Sequence, residues 1–139
     1  MRRARLLACV LVLVALCASS CSQRFKKTYP VRGEVFYQGK PAAGASDFLQ
    51  SLDDPKDLLA RPRGSVDENG RFTLSTYRPN DGAPAGAYTV TLFWVPRGYQ
   101  GPIEAVNKLP GRYRNPETSG LTLKVEAREN VVEPFQLTK

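Results

Sequence analysis

Few residues in this chain are of a type that does chemistry, and the scarcity itself narrows the reading. There is no histidine among 139 residues. That removes the commonest general base and the commonest neutral metal ligand at physiological pH. The three cysteines, Cys9, Cys17 and Cys21, all fall in the first 21 residues, so the body of the chain has no ligand set for a zinc site. No Ser/Lys pair stands at a spacing that suggests an activated nucleophile. Two acidic turns, one with Asp53, Asp54 and Asp57 and one with Asp67, Glu68 and Asn69, offer the oxygen ligands that calcium takes. The same residues are the ordinary material of a helix start and a hairpin turn, and that reading is preferred. A Lys–Asn crosslink would need a lysine inside the first strand, whereas Lys40 and Asn130 fall in turns. No catalytic residue, metal or other cofactor is therefore expected. What remains is recognition. Tyr77, Arg97, Tyr99, Arg112, Tyr113 and Arg114 lie in or beside loops, and aromatic and arginine side chains suit protein and carbohydrate contacts. An enzyme using only carboxylates is the competing reading, and it requires two of them about 5–10 Å apart in a cleft.

The first 20 residues have a separate grammar. Arg2, Arg3 and Arg5 precede an apolar run over residues 6–16, followed by small residues at Ala18, Ser19 and Ser20. This is the pattern of a removable export leader. The run is too short to cross a bilayer, which takes about 20 apolar residues. The tetrapeptide Ala18-Ser19-Ser20-Cys21 resembles the bacterial lipobox, although that motif prefers leucine where Ala18 stands. The resemblance implies a diacylglyceryl thioether on Cys21, which would become the mature N-terminus. Cys9 and Cys17 leave with the leader, so lipidation would use up the one remaining thiol of an exported protein. Removing residues 1–20 takes away three basic residues and no acid, which lowers the net charge from +7 to +4. That excess is no nucleic-acid footprint. The expected location is the cell envelope, with the membrane contacted through Cys21 and a protein or carbohydrate partner beyond it. Ser22 follows the cysteine, and in the lipoproteins it resembles a residue other than Asp there accompanies outer-membrane sorting. An unanchored secreted module is the alternative.

Everything after the leader reads as β structure. Residues 21–28 are a short tether, in which Arg24, Lys26 and Lys27 read as a solvated linker rather than a headgroup contact. Residues 29–139 form one domain. Residues 29–37 alternate, with Val31, Gly33, Val35 and Tyr37 on one face. Residues 43–50 make a second strand whose inward face carries Asp47; either its register differs or it is an edge strand that blunts pairing with an inward charge. Residues 53–60 start like a short helix, with an Asp cap and Pro55 at the first position. Phe72 and Leu74 share one strand face after the Asn69-Gly70 turn. Tyr88, Val90, Leu92 and Trp94 share another, the expected centre of the core. The loop over residues 96–111 is long enough to be functional or mobile. Leu121, Leu123 and Val125, then Phe135 and Leu137, complete the inward set. About seven strands with turn clusters between them predict an antiparallel Greek-key sandwich.

The order of these segments resembles carboxypeptidase-regulatory-like and transthyretin-like domains. Val31-Arg-Gly-Glu-Val35 and Gly39-Lys-Pro-Ala-Ala-Gly44 match the opening strand and turn of that pattern. Asp67-Glu-Asn-Gly-Arg-Phe72 matches its hairpin, and Gly86-Ala-Tyr-Thr-Val90 a later strand. Residues 73–86, Tyr113 and the tract 118–122 are similar to small bacterial lipoproteins that carry this domain alone. The resemblance implies a prealbumin-like sandwich and no established activity. The hydrolytic branch of that shape relies on histidines, which this chain lacks.

Overall fold

The computed structural model describes residues 25–96, 98–102 and 106–139. Among these residues the fold is an all-β sandwich of eleven short strands. They are β1 (Thr28–Tyr29), β2 (Val31–Tyr37), β3 (Lys40–Pro41), β4 (Ser46–Ser51), β5 (Arg63–Ser65), β6 (Arg71–Thr73), β7 (Ala83–Pro84), β8 (Gly86–Phe93), β9 (Thr122–Val125), β10 (Asn130–Val131) and β11 (Phe135–Leu137), with a 3-10 turn at Gly111–Arg114.

One sheet is organised by β2. Along one edge β2 pairs antiparallel with β6 and β3; along the other it pairs parallel with β10 and β11. The second sheet runs β5-β4-β8-β9, all antiparallel. A small ribbon, β1 with β7, closes one end. The alternation in the sequence sets which residues meet between the sheets. Val31, Val35, Phe72, Leu74 and Leu137 come from the first, and Leu49, Tyr88, Val90, Leu92, Leu123 and Val125 from the second, all buried in one cluster. Gly33 is required by this packing, since a Cβ there would lie 2.7 Å from the Phe72 ring.

Three expectations need correction. The closing segment runs parallel to β2, not antiparallel, and it is split into β10 and β11 around Pro134, which has no N–H to give a ladder. The strand count is higher than about seven for two reasons: Pro30 and Pro134 interrupt what the alternation presents as continuous runs, and the two-residue strands β3 and β7 lie in stretches read as a turn and a loop. Residues 55–60 form no helix. Asp57 Oδ1 accepts the N–H groups of Leu59 at 3.0 Å and Ala60 at 3.1 Å. This local capture competes with a helix too short to repay its nucleation.

Register also defines two ends. Ser51 pairs with Tyr88, Tyr29 with Ala83, and Leu74 donates to the Val31 carbonyl, so residues 25–29, 51–60 and 77–86 gather at one end. Tyr37 pairs with Lys40 and Leu137, and its ring meets Trp94 edge-on at 6.3 Å. The turn at 38–40, the loop beyond Trp94 and the C-terminus therefore share the other end.

Candidate functional site

The side of the sandwich where β5 adjoins the segment after β6 is closed by a single bridge, Arg63 to Ser75, with hydrogen bonds both ways at 2.9 and 2.8 Å. Outside this bridge lies an open groove of about 630 Å³, walled by Phe48, Arg63, Arg71, Thr73, Tyr77 and Arg78. Strand alternation turns these side chains outward: β4 shows Phe48, β5 shows Arg63, and β6 shows Arg71 and Thr73.

The loop 75–81 that forms one wall is held by Asp81. Its carboxylate accepts backbone N–H groups from Thr76 at 2.6 Å and from Tyr77 and Arg78 at 3.0 Å each. Thr76 Oγ1 donates to the Gly82 carbonyl at 2.6 Å, and Ser75 Oγ accepts from Asn80 N–H at 2.8 Å. Charge-assisted bonds of this kind are the stronger ones, so Tyr77 and Arg78 are presented on a preformed loop. The Asn-Asp-Gly of this loop is a recognisable turn signal, and the threefold acceptor role of Asp81 is what it was signalling.

The charge in the groove is unbalanced. Arg71 Nε lies 3.7 Å from Glu34, an exposed pair. Arg63 and Arg78 form no ion pair among the described residues. The one carboxylate on the groove wall, Asp67, holds its own turn through Oδ1, which accepts N–H groups from Asn69 at 2.9 Å and Arg71 at 2.8 Å. A second acid lies sealed behind the wall. Asp47 is 1% exposed, and neither carboxylate oxygen makes a hydrogen bond of ordinary geometry. Burial pushes its pKa up to about 6, opposed weakly by the nearby N–H groups of Asp47 and Gly64. Its strand partner Gly64 leaves the carboxylate room, since a Cβ there would lie 2.6 Å from Asp47 Oδ1. The inward register of Asp47 is thus as the sequence reads. The strand is internal, between β5 and β8, so edge protection is not its role.

A second, more apolar groove of about 500 Å³ lies on the outer face of β4 and β8, with Phe48, Phe93, Val95, Pro55 and Ala60 on its walls. Phe48 meets Phe93 edge-on at 5.6 Å and separates the two grooves.

The residues singled out for recognition are distributed over both ends. Tyr77 stands on the arginine groove, with Phe25 packed on its ring at 4.8 Å and Lys26 N–H donating to its hydroxyl at 3.2 Å. Tyr99 is exposed on the loop at the opposite end. Arg112 and Tyr113 brace the chain terminus. Arg112 Nη2 donates to the carbonyls of Thr138 and Lys139, both at 2.8 Å, and to the Tyr113 hydroxyl at 3.0 Å. That hydroxyl also accepts Thr138 N–H at 2.9 Å. Burial raises the Tyr113 pKa, but the bonds from Thr138 and Arg112 outweigh it and hold the phenol below its ordinary value. Arg114 is half-buried beside this brace. Arg97 and Cys21 lie outside the described residues. The acidic turns serve the backbone: Asp53 accepts Ala87 N–H at 3.2 Å, and Asp57 binds its own turn. Among the described residues, no group of three or more acidic or cysteine side chains is placed to hold a metal ion.

Comparison with known proteins adds little to this geometry. No family model matches the chain, and no curated protein matches it. Among solved structures it is similar to a DUF3823 family protein from Bacteroides ovatus, at 14% identity and a TM-score of 0.39. The likeness covers 78% of this chain and 44% of that one, so this chain spans less than half the length of its structural neighbour.

Proposed function

We propose that this chain is a non-catalytic binding module of the cell envelope, anchored through a lipid on Cys21, whose edge groove takes a ligand bearing carboxylate or phosphate groups. The observation that carries the binding reading is the preformed groove in which Arg63 and Arg78 have no carboxylate partner among the described residues. A planar guanidinium is matched to carboxylate and phosphate oxygens. Tyr77 adds a ring face of the sort that sugars and apolar side chains pack on. Binding rather than hydrolysis is supported by the wall having one accessible acid, Asp67, whose Oδ1 holds its own turn, while Asp47 is shut behind Gly64. The anchor is supported by the leader and the cysteine that follows it. The sandwich itself is compatible with a prealbumin-like domain.

Two measurements test the reading separately. Calorimetric titration with an acidic oligosaccharide such as oligogalacturonate should show binding that its neutral counterpart lacks. Arg63→Ala and Arg78→Ala should each weaken that binding by roughly tenfold or more, the value of a charge-assisted hydrogen bond. Equal binding of acidic and neutral sugars, or unchanged affinity in both variants, removes the groove from the proposal. The mass of the N-terminal peptide from the membrane fraction tests the anchor: an acylated Cys21 is expected, and an unmodified one in the soluble fraction overturns it.

A further inference from the structure

The end of the sandwich at which the chain enters carries most of its exposed apolar side chains. Phe25 is 69% exposed, Leu58 67%, Leu52 54% and Leu59 50%. They belong to two segments that the structure ties together. Lys26 Nζ lies 2.7 Å from Asp57 and 3.6 Å from Asp54, which sets residue 25 beside the turn that displays Leu58 and Leu59. Leu52 N–H bonds the Ala87 carbonyl at 2.9 Å at the same end. The entering chain is thus docked onto the domain rather than hanging from it. Lys26 is engaged in this clasp with its side chain half exposed.

Chain length decides what lies against this end. Three residues separate Cys21 from Phe25, and four Cα steps reach at most about 14 Å when fully extended. A lipid on Cys21 therefore holds the bilayer surface within that distance of Phe25. We infer that Phe25, Leu52, Leu58 and Leu59 form a pad that rests in the lipid interface, so that the module stands on the membrane in one orientation. This inference rests on the anchored reading above. In that pose the turn at 38–40 and the loop bearing Tyr99 point away from the membrane. Around the pad, Lys26, Lys27 and Lys56 are matched by Asp53, Asp54 and Asp57, and Arg24 of the tether leaves a net charge of only +1. The contact is consequently apolar in origin and should depend little on salt or on the fraction of anionic lipid.

The test uses the full, processed chain in vesicles of phosphatidylethanolamine and phosphatidylglycerol. With Cys21 acylated, a cysteine at position 58 or 40 is the one free thiol for an environment-sensitive fluorophore. Leu58→Cys should show a blue-shifted emission quenched by nitroxide-bearing lipids, and Lys40→Cys should show neither. Equal quenching at both positions, or none at 58, overturns the pad while leaving an acylated anchor intact. Protection of position 58 from both lipid nitroxide and aqueous iodide would mean that protein covers it, which also overturns the pad. If the N-terminal peptide proves unmodified, the anchor fails and the pad is tested on the soluble chain. Flotation with vesicles should then fall by roughly tenfold in the Leu58→Asp, Leu59→Asp double variant, and no flotation of the parent chain removes the pad as well. Both leucines are exposed, and unchanged circular dichroism would confirm that the variants fold.

Discussion

Replacing Asp47 with asparagine removes an ionisable group from the middle of the sandwich while keeping its shape. In the wild-type chain the carboxyl titrates at about 6 in the folded state against 3.8 when unfolded. The folded state therefore holds its proton through a pH range where the unfolded chain has already lost one. Stability must fall as pH rises from the unfolded pKa to the folded one, and stay low above it. A shift of about two units corresponds to about 3 kcal/mol in full, of which about 2 kcal/mol is lost between pH 4.5 and 7.5. Asp47→Asn cannot lose this increment. Urea unfolding of both proteins at pH 4.5, 6 and 7.5 should give a stability difference that moves in favour of the variant by about 2 kcal/mol across the series. Subtracting the variant cancels the surface carboxylates, including Asp57, whose pKa the Lys26 hydrogen bond holds down. Parallel profiles would refute the reasoning, because they would mean that the carboxyl is hydrated or partnered in the folded protein. Gly64→Ala is the steric counterpart. Its Cβ would enter the space that Asp47 Oδ1 occupies, so it should destabilise the wild type more than the Asp47→Ala background.

Gly33→Ala should cost about 1–3 kcal/mol, the usual result of overpacking, because its Cβ meets the Phe72 ring at 2.7 Å; thermal melting measures it, and an unchanged midpoint would show that the ring moves freely. Tyr113→Phe strips the hydroxyl that links Arg112 to Thr138. About 1–2 kcal/mol of stability should go with it, read by urea unfolding, and amide exchange at Thr138 should quicken.

The spacing of apolar residues was enough to mark most strands and nearly all of the core. Val31, Val35, Leu74, Val90, Leu92, Leu123 and Leu137 all face inward as their alternation requires. Asp47 was legible as inward-facing, but whether its strand was central or an edge depended on β5 and β8 coming to either side. Residues 53–60 carried real helix-start signals, and these lost to a carboxylate that bonds its own turn. The groove was hidden for another reason. Tyr77 was legible as a recognition candidate, but Arg63, Arg71 and Arg78 are ordinary exposed residues until strand pairing sets β5 beside the segment that follows β6.

The sequence alone determined the period of the longer strands, the lack of histidine and the confinement of all three cysteines to the first 21 residues, because these depend on residue type and on neighbours a few positions away. Only the tertiary structure decided that the closing strand runs parallel to β2 and that Arg112 and Tyr113 serve the C-terminus. It alone brought the entering chain against the 53–59 turn. Each of these joins residues at least 25 positions apart, and at that separation a choice among partners is made by the packing of whole sheets, which no local pattern encodes.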